Sequence, residues 1–191
     1  MSQTPTREDA WALLTEYTDN PSLIKHALGV EAAMRAYARS YDEDEEMWAT
    51  IGLIHDFDYQ QNPTEETHLH VGTGILRERG WPEKWVRIVA SHADYMGVPR
   101  DSRAARTLFA VDELSGFLTA CALVRPDKAI AEVKVKSVKK KLKDKAFARG
   151  VNRDDVRNGA QELGVDLGEH IEFVRDAMAT ISNQLELPPK E

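Results

Sequence analysis

Cysteine is nearly absent: Cys121 is the only one in 191 residues, so no internal disulfide can form, which fits a reducing compartment. Long apolar runs are also missing. None approaches the roughly 20 residues of a membrane span, so no membrane partner is expected. The opening stretch MSQTPTREDAWALL has no basic segment followed by an apolar one. No secretory signal is therefore expected, and the location is expected to be cytoplasmic. Positive charge is in deficit, with 25 Lys and Arg against 32 Asp and Glu, for a net charge of −7. That balance argues against broad nucleic-acid binding, which depends on neutralising phosphates. Period-two runs of β-branched residues are lacking, and so are internal repeats and low-complexity linkers.

What remains is a globular balance of 42% hydrophobic and 30% charged residues, long enough to bury a core without covalent staples. Apolar residues recur at spacings of three and four, the period of an amphipathic helix, and the fold class is all-α. Helices are expected over about Thr6–Tyr17, Leu23–Ser40 (capped by Ser22) and Glu43–His55 (from a capping box of Asp42 and Glu45). Others are expected over Glu66–Arg79, Pro82–His92 and Arg103–Val124. The C-terminal part should hold a long basic helix, Lys128–Arg149, then a short helix ending near Gly164 and a last one over Leu167–Leu185. Residues 1–125 are expected to form the core, with 126–191 as a helical extension packed on the same domain.

Several polar residues fall where these apolar stripes predict core. His26 lies between Leu23 and Val30, and His55 follows Trp48 and Ile51 with Asp56 beside it. His92 follows Trp85, Ile88 and Val89. Asp112 sits inside TLFAVDELSGFLTACALV, the most apolar helix of the chain. An isolated buried carboxylate costs several kcal/mol even after relaxation, and buried imidazoles need partners as well. Convergence on a metal ion satisfies all of them. Mixed imidazole and carboxylate ligands suit Mn, Fe, Co, Ni or Zn better than Mg or Ca.

The order His26, then His55-Asp56 in GLIHDFDY, then Asp112 in FAVDELSGF resembles the H…HD…D signature of the HD superfamily. The intervals match too, 29 residues from His26 to His55 and 56 from Asp56 to Asp112. The segment HLHVGTGILRERGWPEKWVRIVASH is similar to the middle motif of the HDIG-type branch, with His68 rather than His70 in register. Gly72, Ile75, Leu76, Arg77 and Glu78 then fall on family positions, and the resemblance covers about residues 22 to 125. It implies a five-helix HD bundle with one metal on His26, His55, Asp56 and Asp112. A second metal would sit on His68 and His92, bridged by Asp56. It also implies a hydrolase in which a metal-activated water attacks a small anionic phosphorylated substrate, most plausibly a nucleotide. Two alternatives stay open: a mixed-valent diiron oxygenase using the same six ligands, and a non-enzymatic regulatory module keeping the ion for structure. The sequence departs from the pattern in having Phe57-Asp58-Tyr59 where Ile-Gly-Lys is usual, and the customary lysine is missing. The G-Y-P-type motif of cyclic-dinucleotide phosphodiesterases is not found.

Other residues admit two readings each. Asp58 is either a catalytic base that orients water, beside Asp56, or a loop cap. Lys25 either reaches a substrate phosphate or is solvated. Between Arg125 and Arg153 there are 11 Lys and Arg against three acids. Lys136, Lys139, Lys140 and Lys143 either rim the metal cleft and attract the substrate or line a solvated face above Val133, Val135, Val138, Leu142 and Phe147. Glu113 reads as a residue facing solvent or backing the site. His70 reads as a residue behind the ligands or at the surface, and His170 as a helix-surface residue. Amphipathic C-terminal helices would allow a homodimer.

Overall fold

The computed structural model describes residues 4–188 and is all-α, with nine α-helices and two short 3₁₀ turns among those residues. Helix α1 (Arg7–Tyr17) starts at a Thr6–Asp9 capping box. Helix α2 (Pro21–Ser40) starts at Asn20, whose side chain accepts from the Ser22 amide, with Pro21 in the first turn where its missing N–H is harmless. Ser22 is therefore inside the helix and is not its cap. Asp42 does not cap the next helix either. It takes a left-handed turn with φ 56°, and Asp44 caps α3 (Glu45–Ile54) by accepting from the Met47 amide.

Helix α3 is buried on every side from Trp48 to Ile54, between α1, α2 and α5. After it the chain turns irregularly until α4 (His70–Glu78) and α5 (Glu83–Ala90). Expected near Glu66, α4 begins later because Thr64 to Leu69 form turns and Leu69 sits at φ 61°. Helix α6 (Arg103–Leu123), capped by Ser102, carries the longest apolar face and packs along α2. Its Leu108, Leu114 and Phe117 close one core with Met34, Ile51, Ile54 and Phe57.

The long basic helix expected over Lys128–Arg149 does not form. Only α7 (Val135–Lys141) is helical there, after a 3₁₀ turn at Ile130–Glu132. Arg125 clamps Asp127, Lys128 goes to φ 52°, and Ile130 and Val133 plug into the core as separate anchors. Lysines three and four apart repel along one helical face, so propagation is weakly supported. Val138 and Leu142 are buried and Val135 and Phe147 half-buried, so the expected apolar contacts of this segment are present.

Helix α8 (Arg153–Leu163), capped by Asn152, lies against α6 so closely that a Cβ on Gly159 would sit 2.6 Å from the Ala110 Cα. Gly164 ends it at φ 77°. Helix α9 (Leu167–Ala179), shorter than expected, packs on α2 and α6. His170 on α9 is not a surface residue: it is 1% exposed, receives the Tyr37 hydroxyl proton at 2.6 Å and donates Nε2–H to the Ala110 carbonyl at 2.8 Å.

Candidate metal centre

Five helices or their ends deliver the polar residues to one place. His26 comes from the second turn of α2, His55 is the residue that follows α3, and Asp112 comes from the middle of α6. Asp56 follows where the chain leaves helical geometry, so two successive side chains can face one point. His68 precedes α4 and His92 follows α5.

The distances are short. Asp112 Oδ1 lies 3.0 Å from His26 Nε2 and 3.3 Å from His55 Nε2. Asp56 Oδ1 lies 3.1 Å from both His68 Nε2 and His92 Nε2, and Asp56 Oδ2 is 3.5 Å from His55 Nε2. Two sets of donor atoms form, each lying within 4.8 Å of one another: His26, His55, Asp56 and Asp112, then Asp56, His68 and His92. Asp56 belongs to both sets, as a bridging carboxylate must.

The hydrogen bonds behind the rings aim them. His55 donates Nδ1–H to the Gly52 carbonyl at 2.8 Å, and His92 donates Nδ1–H to the Val89 carbonyl at 2.7 Å. With Nδ1 donating, a neutral ring turns a lone pair on Nε2 toward the cluster. His55 Nε2 is fully buried and has no hydrogen-bond partner. A lone pair facing carboxylate oxygens is repulsive unless positive charge stands between them. A cation fits this donor set, and the orphaned nitrogen is the test.

Electrostatics agree. Burial opposes charge on the imidazoles, yet Asp56 and Asp112 outweigh it and hold His55 and His92 above the usual range. His68 is opposed by burial as well, but its bonds to Asp56 and Asp58 push it up to about 9. Against the penalty of burial, the same rings hold Asp56 and Asp112 well below the usual carboxylate range. The pocket is built to contain positive charge.

Asp58 does not stand free to take a proton from water. Its carboxylate is fully buried, and Oδ1 accepts from His68 Nδ1 at 3.1 Å. Oδ2 accepts from the Leu69 and Gly72 amides, each at 3.1 Å. It caps α4 and fixes His68. A Cβ on Gly72 would fall 2.6 Å from the Asp58 carboxyl carbon, so a side chain there would break this approach.

The lysines do not rim the cleft. Lys25 pairs with Glu186 at 2.6 Å, and Lys139 rests against Gly168 beside Asp166. Lys136 and Lys140 are on α7, which packs toward α9. The cleft above the cluster holds about 380 Å³, and no Lys or Arg is among its described lining residues. Its walls carry Glu65, Asp94, Glu113 and Asp155 instead, with the aromatic rings of Tyr59, Tyr95 and Phe109. Glu113 is half-buried and accepts from the Asn152 amide at 3.1 Å, while burial and the Asp112 charge push its carboxyl up to about 7. Sequence reading gave Glu113 only a generic role and missed the others, because α8 and the turn at Asp94–Met96 reach the cleft only through the tertiary fold. A larger groove of about 540 Å³ between α2 and α9 offers Arg7, Arg35 and Arg39, but each is paired with a glutamate.

Among known proteins, the family model described as HD domain matches residues 23–116, a span that contains His26, His55, Asp56, His68, His92 and Asp112. No curated protein and no solved structure matches the chain.

Proposed function

Residues 23–116 belong to the HD domain family, whose members are in general metal-dependent hydrolases, and from that premise we propose that this chain is a metal-dependent phosphohydrolase acting on a small phosphomonoester. The observation that supports the reading best is the pair of ligand sets sharing Asp56, with the buried Nε2 of His55 lacking any other partner.

His26, His55, Asp56 and Asp112 would hold one divalent ion, and Asp56, His68 and His92 a second. When bound, such ions supply Lewis-acid charge and an activated water. Imidazole and carboxylate ligands suit Mn, Fe, Co, Ni or Zn. The chain's own residues do the rest. Asp56 and Asp112 set the net charge of the floor, and the Gly52 and Val89 carbonyls and Asp58 hold the three rings in register. The rings of His55, His68 and His92 are buried while His26, Asp56 and Asp112 are half-buried and reach solvent, so the phosphoryl group would approach them from the cleft.

The test is hydrolysis of a phosphomonoester and nucleotide panel by protein loaded with each of Mn, Fe, Co, Ni and Zn. Turnover that vanishes in Asp56→Ala supports the reading. No turnover with any metal, in protein of confirmed metal content, refutes it. Tight binding of iron alone, with colour and no hydrolysis, would move the chain to the diiron oxidation chemistry instead.

A further inference from the structure

We infer that the phosphomonoester carries a cationic amine on its leaving group, as a phosphorylated amino alcohol does. The inference rests on the phosphohydrolase reading and concerns the charge of the substrate's other end.

The floor and the walls of the cleft differ in sign. Two divalent ions set against the carboxylates of Asp56 and Asp112 would leave the floor positive, matched to a phosphate dianion. The walls are acidic. Asp155, half-buried in the first turn of α8, and Glu65, exposed on the turn before α4, line the cleft. Among the described residues neither carboxylate accepts a side-chain hydrogen bond or forms an ion pair, and the Arg100 charge acts on Asp155 only without direct contact. Asp94 is held by Arg100 at 2.7 Å. That guanidinium is itself spent: it also binds Glu162 at 2.7 Å and the Ser91 carbonyl at 3.0 Å, and it lies flat behind Phe109 at 3.7 Å. A nucleoside diphosphate or sugar bisphosphate would need cations on these walls for its further phosphate, and none line them.

An ammonium finds partners there. Asp155 and Glu65 offer unpaired negative charge. The rings of Tyr59 and Tyr95, 39% and 38% exposed, offer π faces to a cation. Tyr59 also packs edge-on to His68, 5.1 Å between centroids, so this wall adjoins the metal floor directly. A zwitterion with its phosphate on the floor and its ammonium on the wall satisfies both signs within about 380 Å³. In the reaction, water oxygen bonds to phosphorus and the ester P–O bond breaks. The water's proton ends on the leaving oxygen, giving inorganic phosphate and a free amino alcohol.

The test compares two isosteres, O-phosphoethanolamine and 2-hydroxyethyl phosphate, which differ in an ammonium or a hydroxyl. The metal-loaded full chain should prefer the ammonium ester by about tenfold or more in kcat/KM, the scale of a close charge pair. Asp155→Asn and, separately, the surface variant Glu65→Gln should each reduce that ratio several-fold, and so should high salt. Hydrolysis of both esters with equal or reversed preference overturns this inference and leaves the phosphohydrolase reading standing, as does a ratio that neither variant changes. Absence of hydrolysis of every ester with every metal overturns the reading of the reaction, and this inference with it.

Discussion

Replacing Asp58 by asparagine changes almost no volume but reverses one hydrogen bond. The carboxylate accepts three, from His68 Nδ1 and the amides of Leu69 and Gly72, all at 3.1 Å. Asparagine can keep its oxygen on the two amides. Its NH₂ group then faces His68 Nδ1, which must become an acceptor, so the ring proton moves to Nε2. That atom is 3.1 Å from Asp56 Oδ1 and is the one required for a ligand bond. Loss of such an orienting partner weakens metal affinity about 10- to 100-fold, or roughly 1.4 to 2.7 kcal/mol. The set of Asp56, His68 and His92 should lose that affinity, while the set of His26, His55, Asp56 and Asp112 should stay within a few-fold. Calorimetric titration of metal-free protein with Mn or Zn measures both, and nitrogen chemical shifts of His68 report its tautomer. Unchanged affinity at both sets, with the proton still on Nδ1, would refute the assignment of Asp58 as the residue that fixes His68. Asp58→Ala strands three buried donors and should instead lower stability by roughly 3–5 kcal/mol.

Chelation should lower the melting temperature by about 5–10 °C when the ion had been at about 100 times its dissociation constant, because that excess stabilises by about 2.7 kcal/mol; a scan with and without chelator checks this. Gly72→Ala drives a methyl into the Asp58 carboxylate and should cost about 1–3 kcal/mol, measured by urea unfolding. His170 is buried and held below the usual histidine range by desolvation, so the unfolded chain takes up its proton first on acidification. Stability from this ring is complete above about pH 6.5 and falls, by up to about 1.4 kcal/mol per pH unit, as pH drops toward its lowered folded value. The slope of stability between pH 7 and 5.5 should be shallower in His170→Gln than in the parent chain.

The convergence of this cluster was legible because charge is improbable inside an apolar helical stripe. His26, Asp112 and the adjacent His55 and Asp56 each interrupt one, and the structure brings all four together with His68 and His92. Helix existence followed from the three-and-four periodicity, while caps slipped by two residues where Asn20 and Asp44 outcompete Ser22 and Asp42. The basic segment misled more seriously. Lysine is a good helix former in isolation, but Ile130 and Val133 gain more by entering the core from a 3₁₀ turn. The sequence left Asp58 open between a base and a loop cap because its partners lie 10 to 14 positions ahead, across a turn with no periodic signal. The acidic wall was hidden for the same reason: Asp155 reads as first-turn charge on α8 until that helix is laid against α6.

The central claim is that imidazoles and acids from five helices and their ends enclose metal ions. Anomalous diffraction from crystals of the Mn- or Zn-loaded chain tests it most directly. The account requires a strong peak at bonding distance from His55 Nε2, shared with His26, Asp56 and Asp112, and a weaker or equal one between Asp56, His68 and His92. Fully loaded crystals with no peak at His55, or with the ions bound only at surface carboxylates, would contradict it.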